Sequence, residues 1–149
     1  MVNNVENVDP REVQMLQQYL NEFSQQIEYY SRQFEVIEQR RVESLAAIET
    51  LNVLARKEDD TVLLPLGGGA SLRVKLLDPE KVLINIGSDV IVERSNQDVI
   101  AFLEDRIREM EAIEKKLTAS VEQVQKQASD VARRIESAYQ QSQPGQAGN

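Results

Sequence analysis

The sequence predicts an α+β chain, mostly α: an antiparallel two-helix coiled coil with two β-hairpins between the helices. Three observations carry this expectation. Apolar residues recur at alternating steps of three and four in both outer parts of the chain. In the middle the period drops to two, and Gly and Pro separate the alternating runs. An even number of strands returns the chain to the side it left, so the second helix runs back along the first.

The first helix is expected over residues 9–57. Its seam reads Val13, Leu16, Leu20, Phe23, Ile27, Tyr30, Phe34, Ile37, Arg41, Ser44, Ile48, Leu51, Ala55. A 3.5-residue repeat held for about six heptads specifies a left-handed supercoil with a partner helix. Asp9 is placed as N-cap, Pro10 suits the first helical position and Glu12 is placed to reach back to the cap. The second helix is expected over 96–140, entered through Ser95 and Asp98 as a capping box. Its seam reads Ile100, Leu103, Ile107, Met110, Glu114, Leu117, Val121, Val124, Ala128, Val131, Ile135, Ala138. Each helix is then roughly 65–75 Å long. With Ile48 set near Ile107, Arg41 and Glu114 fall within about one helical turn of each other. Paired charges in a seam fix register at some loss of stability.

Between the helices, over 61–94, four short strands form two successive hairpins. Thr61–Leu66 leads into Gly67-Gly68-Gly69. In Ser71–Leu77 the residues Leu72, Val74 and Leu76 share one face, opposite Ser71, Arg73 and Lys75. Asp78-Pro79-Glu80-Lys81 is a turn with Pro at its second position. Val82, Ile84 and Ile86 then alternate with Leu83 and Asn85, and Gly87-Ser88-Asp89 turns into Val90–Arg94. Residues 1–140 thus read as one domain, and 141–149, with Pro144, Gly145 and Gly148 and no charge, as a disordered tail. Four strands without Trp, Phe or Tyr bury too little surface to stand alone, and their edges seek partners. The apolar strand positions Leu64, Leu66, Leu72, Val74, Leu76, Val82, Ile84, Ile86, Val90 and Val92 are therefore the expected oligomerisation surface.

Composition narrows the function. The chain has no Cys and no His, which removes disulfides, Cys or His nucleophiles and the usual zinc ligands. With no Trp, 5% aromatic and 28% charged residues, it has little with which to line a pocket that shifts carboxylate pKa values. The net charge of −8 argues against nucleic acid. Gly67–Gly69 is followed by a strand and by no Gly-Lys-Ser/Thr, so it is not read as a phosphate loop. No run approaches ~18 apolar residues, and Met1 to Asp9 lacks the pattern of a signal peptide. The expectation is a cytoplasmic protein, not an enzyme, with no cofactor, no metal, no membrane and no nucleic acid.

The run from Leu64 through Gly67-Gly68-Gly69 to Leu72 resembles the start of the β region in archaeal prefoldin alpha subunits. So does the run from Val82 through Gly87-Ser88-Asp89 to Glu93, leading into the second helix. The resemblance spans about Asp9 to Gln140, and two hairpins match the alpha class, since the beta class carries one. It implies a hexamer of two alpha and four beta subunits, with coiled coils hanging from a β platform. It also implies capture of unfolded proteins at the coiled-coil tips without ATP, and transfer to a group II chaperonin. The residues nearest the open end are Val13, Leu16, Tyr19, Leu20, Val131, Ile135 and Tyr139, and a fraying seam there exposes apolar surface for a client. A coiled-coil adaptor or scaffold without chaperone activity is the alternative reading.

Overall fold

A computed structural model describes residues 9–142. The element order is α1 (Pro10–Arg56), β1 (Thr61–Gly67), β2 (Ala70–Lys75), β3 (Lys81–Gly87), β4 (Val90–Ser95) and α2 (Asn96–Ser142). Each helix has 47 residues, and the strands form two separate two-stranded antiparallel sheets, β1 with β2 and β3 with β4. The first two residues of the expected tail 141–149, Gln141 and Ser142, instead continue α2, and 143–149 lie outside the described residues. The chain forms two compact units: Glu38–Ala112, which holds both hairpins, and the helical chain on either side of it.

Local chemistry explains the element boundaries. Asp9 Oδ1 accepts the Arg11 N–H at 2.9 Å, satisfying a donor at the start of α1. Ser95 Oγ does the same for Asp98 N–H at 3.1 Å at the start of α2. Before β1, Asp59 Oδ1 accepts the Thr61 N–H at 2.9 Å. That bond, with a second from the Thr61 side chain, holds the Asp59 carboxyl below the usual carboxylate range. The Asp78–Lys81 turn closes with Lys81 N–H on Asp78 C=O at 3.3 Å, and Asp78 Oδ1 also accepts Glu80 N–H at 3.1 Å.

The two hairpins are built alike. Val62 pairs with Val74 and Leu64 with Leu72 in the first; Ile84 pairs with Val92 and Leu83 with Glu93 in the second. Each ladder shifts register just before its turn, between Pro65 and Gly67 and between Asn85 and Gly87. Both two-residue turns take positive φ at both central positions, the arrangement that matches strand twist. Gly68 (60°) and Gly69 (81°) adopt it without strain, whereas Ser88 (50°) and Asp89 (60°) carry side chains into it. β2 ends at Lys75, so Leu76 and Leu77 lie beyond it; Leu76 N–H still bonds Asp60 C=O at 2.8 Å.

In the unit Glu38–Ala112, Leu51, Val99 and Leu103 form the core, with Ile48, Val82, Ile84 and Ile100 packed against them. Burying each such side chain is worth about 1.5–3 kcal/mol. Leu51 belongs with Val99 and Leu103, while Arg41, ten residues earlier, lies 4.0 Å from Glu111, further along α2. The helices therefore run antiparallel within this unit. Arg41 also meets Glu38 at 2.6 Å, so this polar seam position is compensated within the unit. Asn96, the first residue of α2 and only 1% exposed, joins both helices and the turn before β3. Its Nδ2 donates to Leu51 C=O at 3.0 Å and its N–H to Glu80 C=O at 3.1 Å. In the other unit Leu117 and Val124 are buried, and Phe23, Ile27, Tyr30, Phe34 and Val121 are half-buried beside them. The Tyr29 and Tyr30 rings meet at 5.8 Å and 59°.

Candidate functional site

The site residues are apolar, and what matters is how much of each the chain covers. Of the strand positions expected to face a partner, Val82 and Ile84 are already used: they pack on the core beneath the second hairpin. Val74, Leu76 and Val92 are half-buried. Leu64, Leu66, Leu72, Ile86 and Val90 are exposed, Leu66 to 58% and Leu72 to 51%. Because Leu64 pairs directly with Leu72, one face of the first hairpin is a continuous apolar strip open to solvent.

The opposite face of the first hairpin carries Leu63, Arg73 and Lys75, all exposed. Leu83 and Ile91 are exposed on the corresponding face of the second. The alternation in the sequence sets Arg73, Lys75 and Leu83 opposite the apolar positions and assigns Leu63 and Ile91 to neither face. Their exposure is legible from the register only once the pairing is known.

The second hairpin is held by polar contacts as well. Arg106 Nη2 donates to Asn85 C=O at 3.0 Å, and its guanidinium stacks 4.6 Å from the centre of the Phe102 ring. Val99, 2% exposed, was missed by reading the heptad seam because it lies off it, and Asn96, 1% exposed, because it is a polar residue one step before the seam's first apolar member, Ile100. They are buried because β3 and β4 widen the covered face of α2 at its start. An Asn directly after the capping Ser95 was the available signal for a second polar anchor.

In the helical unit, the residues expected near the open end are graded in exposure. Val13, Leu16, Leu20, Val131 and Ile135 are half-buried, whereas Tyr19 is 42% and Tyr139 54% exposed. Met15 joins them: it is exposed and its Sδ accepts the Tyr19 hydroxyl at 3.6 Å. Along α2 in this unit, the seam residues Leu117 and Val124 are buried, and beyond Val124 every seam position through Ala138 is only half-buried. A weakening seam with aromatic groups beside it offers apolar contact without a defined pocket. Among the described residues no group of three or more Asp or Glu is arranged to hold a metal ion, and no helix is long and apolar enough to cross a membrane.

The comparisons agree with this arrangement. A family profile described as Prefoldin subunit matches residues 23–141. The prefoldin subunit alpha of Methanoculleus marisnigri is 55% identical over 97% of each chain. That of Methanoregula boonei is 51% identical over 93% of this chain and 90% of the relative. Among solved structures, a chain of the filamentous PFD from Methanocaldococcus jannaschii superposes with a TM-score of 0.68, covering 79% of this chain and 98% of that one at 18% identity, which establishes a shared fold. Two long helices with two hairpins between them are thus those of a chaperone subunit that assembles with other prefoldin subunits, and the chain belongs to the prefoldin family.

Proposed function

We propose that this subunit holds non-native polypeptide at the free end of its helix pair, without ATP, and yields it to a group II chaperonin in the cytoplasm. Its partners in that work are beta subunits, in a hexamer of two alpha and four beta subunits. The observation that carries this reading is the fading of seam burial after Val124, with Tyr19 and Tyr139 exposed. The client-binding residues are Val13, Leu16, Tyr19, Leu20, Val131, Ile135 and Tyr139.

Magnitudes determine how such binding works. An apolar surface of ~300 Å² at ~25 cal/mol per Å² gives roughly 7 kcal/mol before costs. Association costs about 4–15 kcal/mol, which offsets most or all of that gain. One helix pair is therefore a weak holder, and several on one assembly gain affinity through effective concentration. Weak single contacts also permit release without fuel.

The test removes residues 1–16 and 131–149 from the chain and assembles it with beta subunits. The shortened chain keeps both hairpins and about five heptads per helix, so the complex is expected to form at the corresponding size. Its suppression of aggregation of a chemically denatured enzyme, measured without ATP, is expected to fall sharply. Protection equal to that of the full-length complex would place the holding surface elsewhere.

A further inference from the structure

We infer that one flank of the helical unit carries a second, more selective contact: a groove that takes a short polypeptide segment in which an apolar residue stands next to Lys or Arg. The inference rests on the reading that this subunit holds non-native polypeptide, and it names the class of segment preferred. The groove has a volume of about 400 Å³ and is lined from α1 by Ser31, Phe34 and Glu35, and from α2 by the stretch between Leu117 and Gln125. Its apolar lining comes from the seam: Leu117 is buried, and Phe34 and Val121 are half-buried.

Two of the residues lining the groove, Ser31 and Thr118, are short and polar. They sit where longer side chains would shield the seam, and part of Phe34 and Val121 stays open. A space of this size suits one or two side chains, too little for a folded partner.

Charge selects the occupant. Glu35 and Glu122 both line the groove, and no Lys or Arg does. Among the described residues neither carboxylate has an ion-pair or hydrogen-bond partner, and Arg32, one turn before Glu35, is engaged by Glu28 instead. Two uncommitted carboxylates beside an apolar surface favour a cation next to an apolar group and repel an acidic segment. The site lies about twenty residues along α1 from Val13, roughly 30 Å at 1.5 Å per residue, so it is separable from the helix ends.

The chain has no cysteine, so Gln125→Cys labelled with an environment-sensitive dye reports on this groove alone. The labelled chain is assembled with beta subunits and titrated with a peptide in which Leu and Phe alternate with Lys, then with its counterpart carrying Glu in place of Lys. The Lys peptide is expected to bind roughly three- to tenfold more tightly, as two exposed ion pairs allow, with the difference shrinking as salt rises. E35Q with E122Q should remove the difference, whereas Val13→Ser with Ile135→Ser should leave it intact. Equal binding of the two peptides, or a preference that survives E35Q/E122Q, overturns the assignment. So does a dye response that follows the concentration of the complex alone, since that puts a second copy in the groove. A dye response without any suppression of aggregation would overturn the holding function and leave the groove; suppression without a dye response would do the reverse.

Discussion

The two hairpins share a plan and differ in what they rest on. Both have strands of six or seven residues, a register shift before the turn and a turn with two positive φ values. The second is anchored: Val82 and Ile84 pack on Leu51, Val99 and Leu103, Arg106 bonds Asn85 C=O, and Asn96 N–H bonds Glu80 C=O. The first leaves Leu64, Leu66 and Leu72 in water. An apolar strand pair exposed this far is unstable alone and prone to associate. The difference teaches that the second hairpin helps to complete this chain's own core through Val82 and Ile84, while the first leaves the Leu64–Leu72 strip uncovered by its own chain.

The largest expected effect tests that division of labour. Leu103→Ala removes a buried side chain beneath the second hairpin and should cost the isolated chain about 2–5 kcal/mol. Leu64→Ser with Leu72→Ser alters only exposed positions and should change the isolated chain's stability by no more than about 0.5 kcal/mol. The same pair should nevertheless prevent a discrete complex with beta subunits. Urea unfolding in dilute solution measures the first quantity and sedimentation velocity the second. If Leu64→Ser/Leu72→Ser destabilised the isolated chain as much as Leu103→Ala, both hairpins would be internal and the comparison would collapse.

A smaller effect is expected at Asn96. Its Nδ2 bond to Leu51 C=O is stabilising, but its Oδ1 is buried without a hydrogen-bond partner among the described residues. Removing the side chain loses one bond, relieves one unsatisfied acceptor and leaves a small cavity. Asn96→Ala should therefore cost about 1–2 kcal/mol, less than an ordinary buried polar deletion. Hydrogen exchange sharpens the point: amides of β3 and β4 should lose protection, and those of β1 and β2 should not.

The contrast between hairpins also marks where sequence reasoning stops. The helices were readable because a 3.5-residue repeat has one structural meaning over this length. The strands were readable because alternation and the Gly and Pro positions coincide. Leu72-Val74-Leu76 and Val82-Ile84-Ile86 have the same alternation, however, and nothing local says that Val82 and Ile84 pack on the core while Leu72 stays exposed. Burial of Val99 and Asn96 was hidden for the same reason: it depends on a hairpin lying over the start of α2. At the helix ends Tyr19 and Tyr139 could be named because they lie near the chain ends, where a coiled coil frays. The groove at Phe34 and Val121 escaped because it is lined by the short polar Ser31 and Thr118, which a hydrophobic pattern does not record.

The smallest expected effect concerns the turns. Ser88 and Asp89 hold φ values of 50° and 60°, where a side chain costs about 1–2 kcal/mol per residue, less for Asp than for Ser. Ser88→Asn with Asp89→Gly supplies the residues this turn favours and should stabilise by about 1 kcal/mol. Because the second hairpin is locked to the core, that gain should appear in the chain's own melting temperature as a rise of roughly 2–4 °C. In the first hairpin the reverse exchange is possible: an added Cβ at Gly68 or Gly69 meets no atom within 4 Å, so Gly68→Ala with Gly69→Ala costs backbone strain alone. That strain falls on a hairpin loosely held by its own chain. Gly68→Ala/Gly69→Ala should therefore leave the isolated chain's melting temperature within about 1 °C of the parent and instead weaken assembly with beta subunits, because the strained turn must form for the complex to close. A melting temperature that falls by as much as the second-turn exchange raises it would show that the first hairpin is as firmly part of the folded chain as the second.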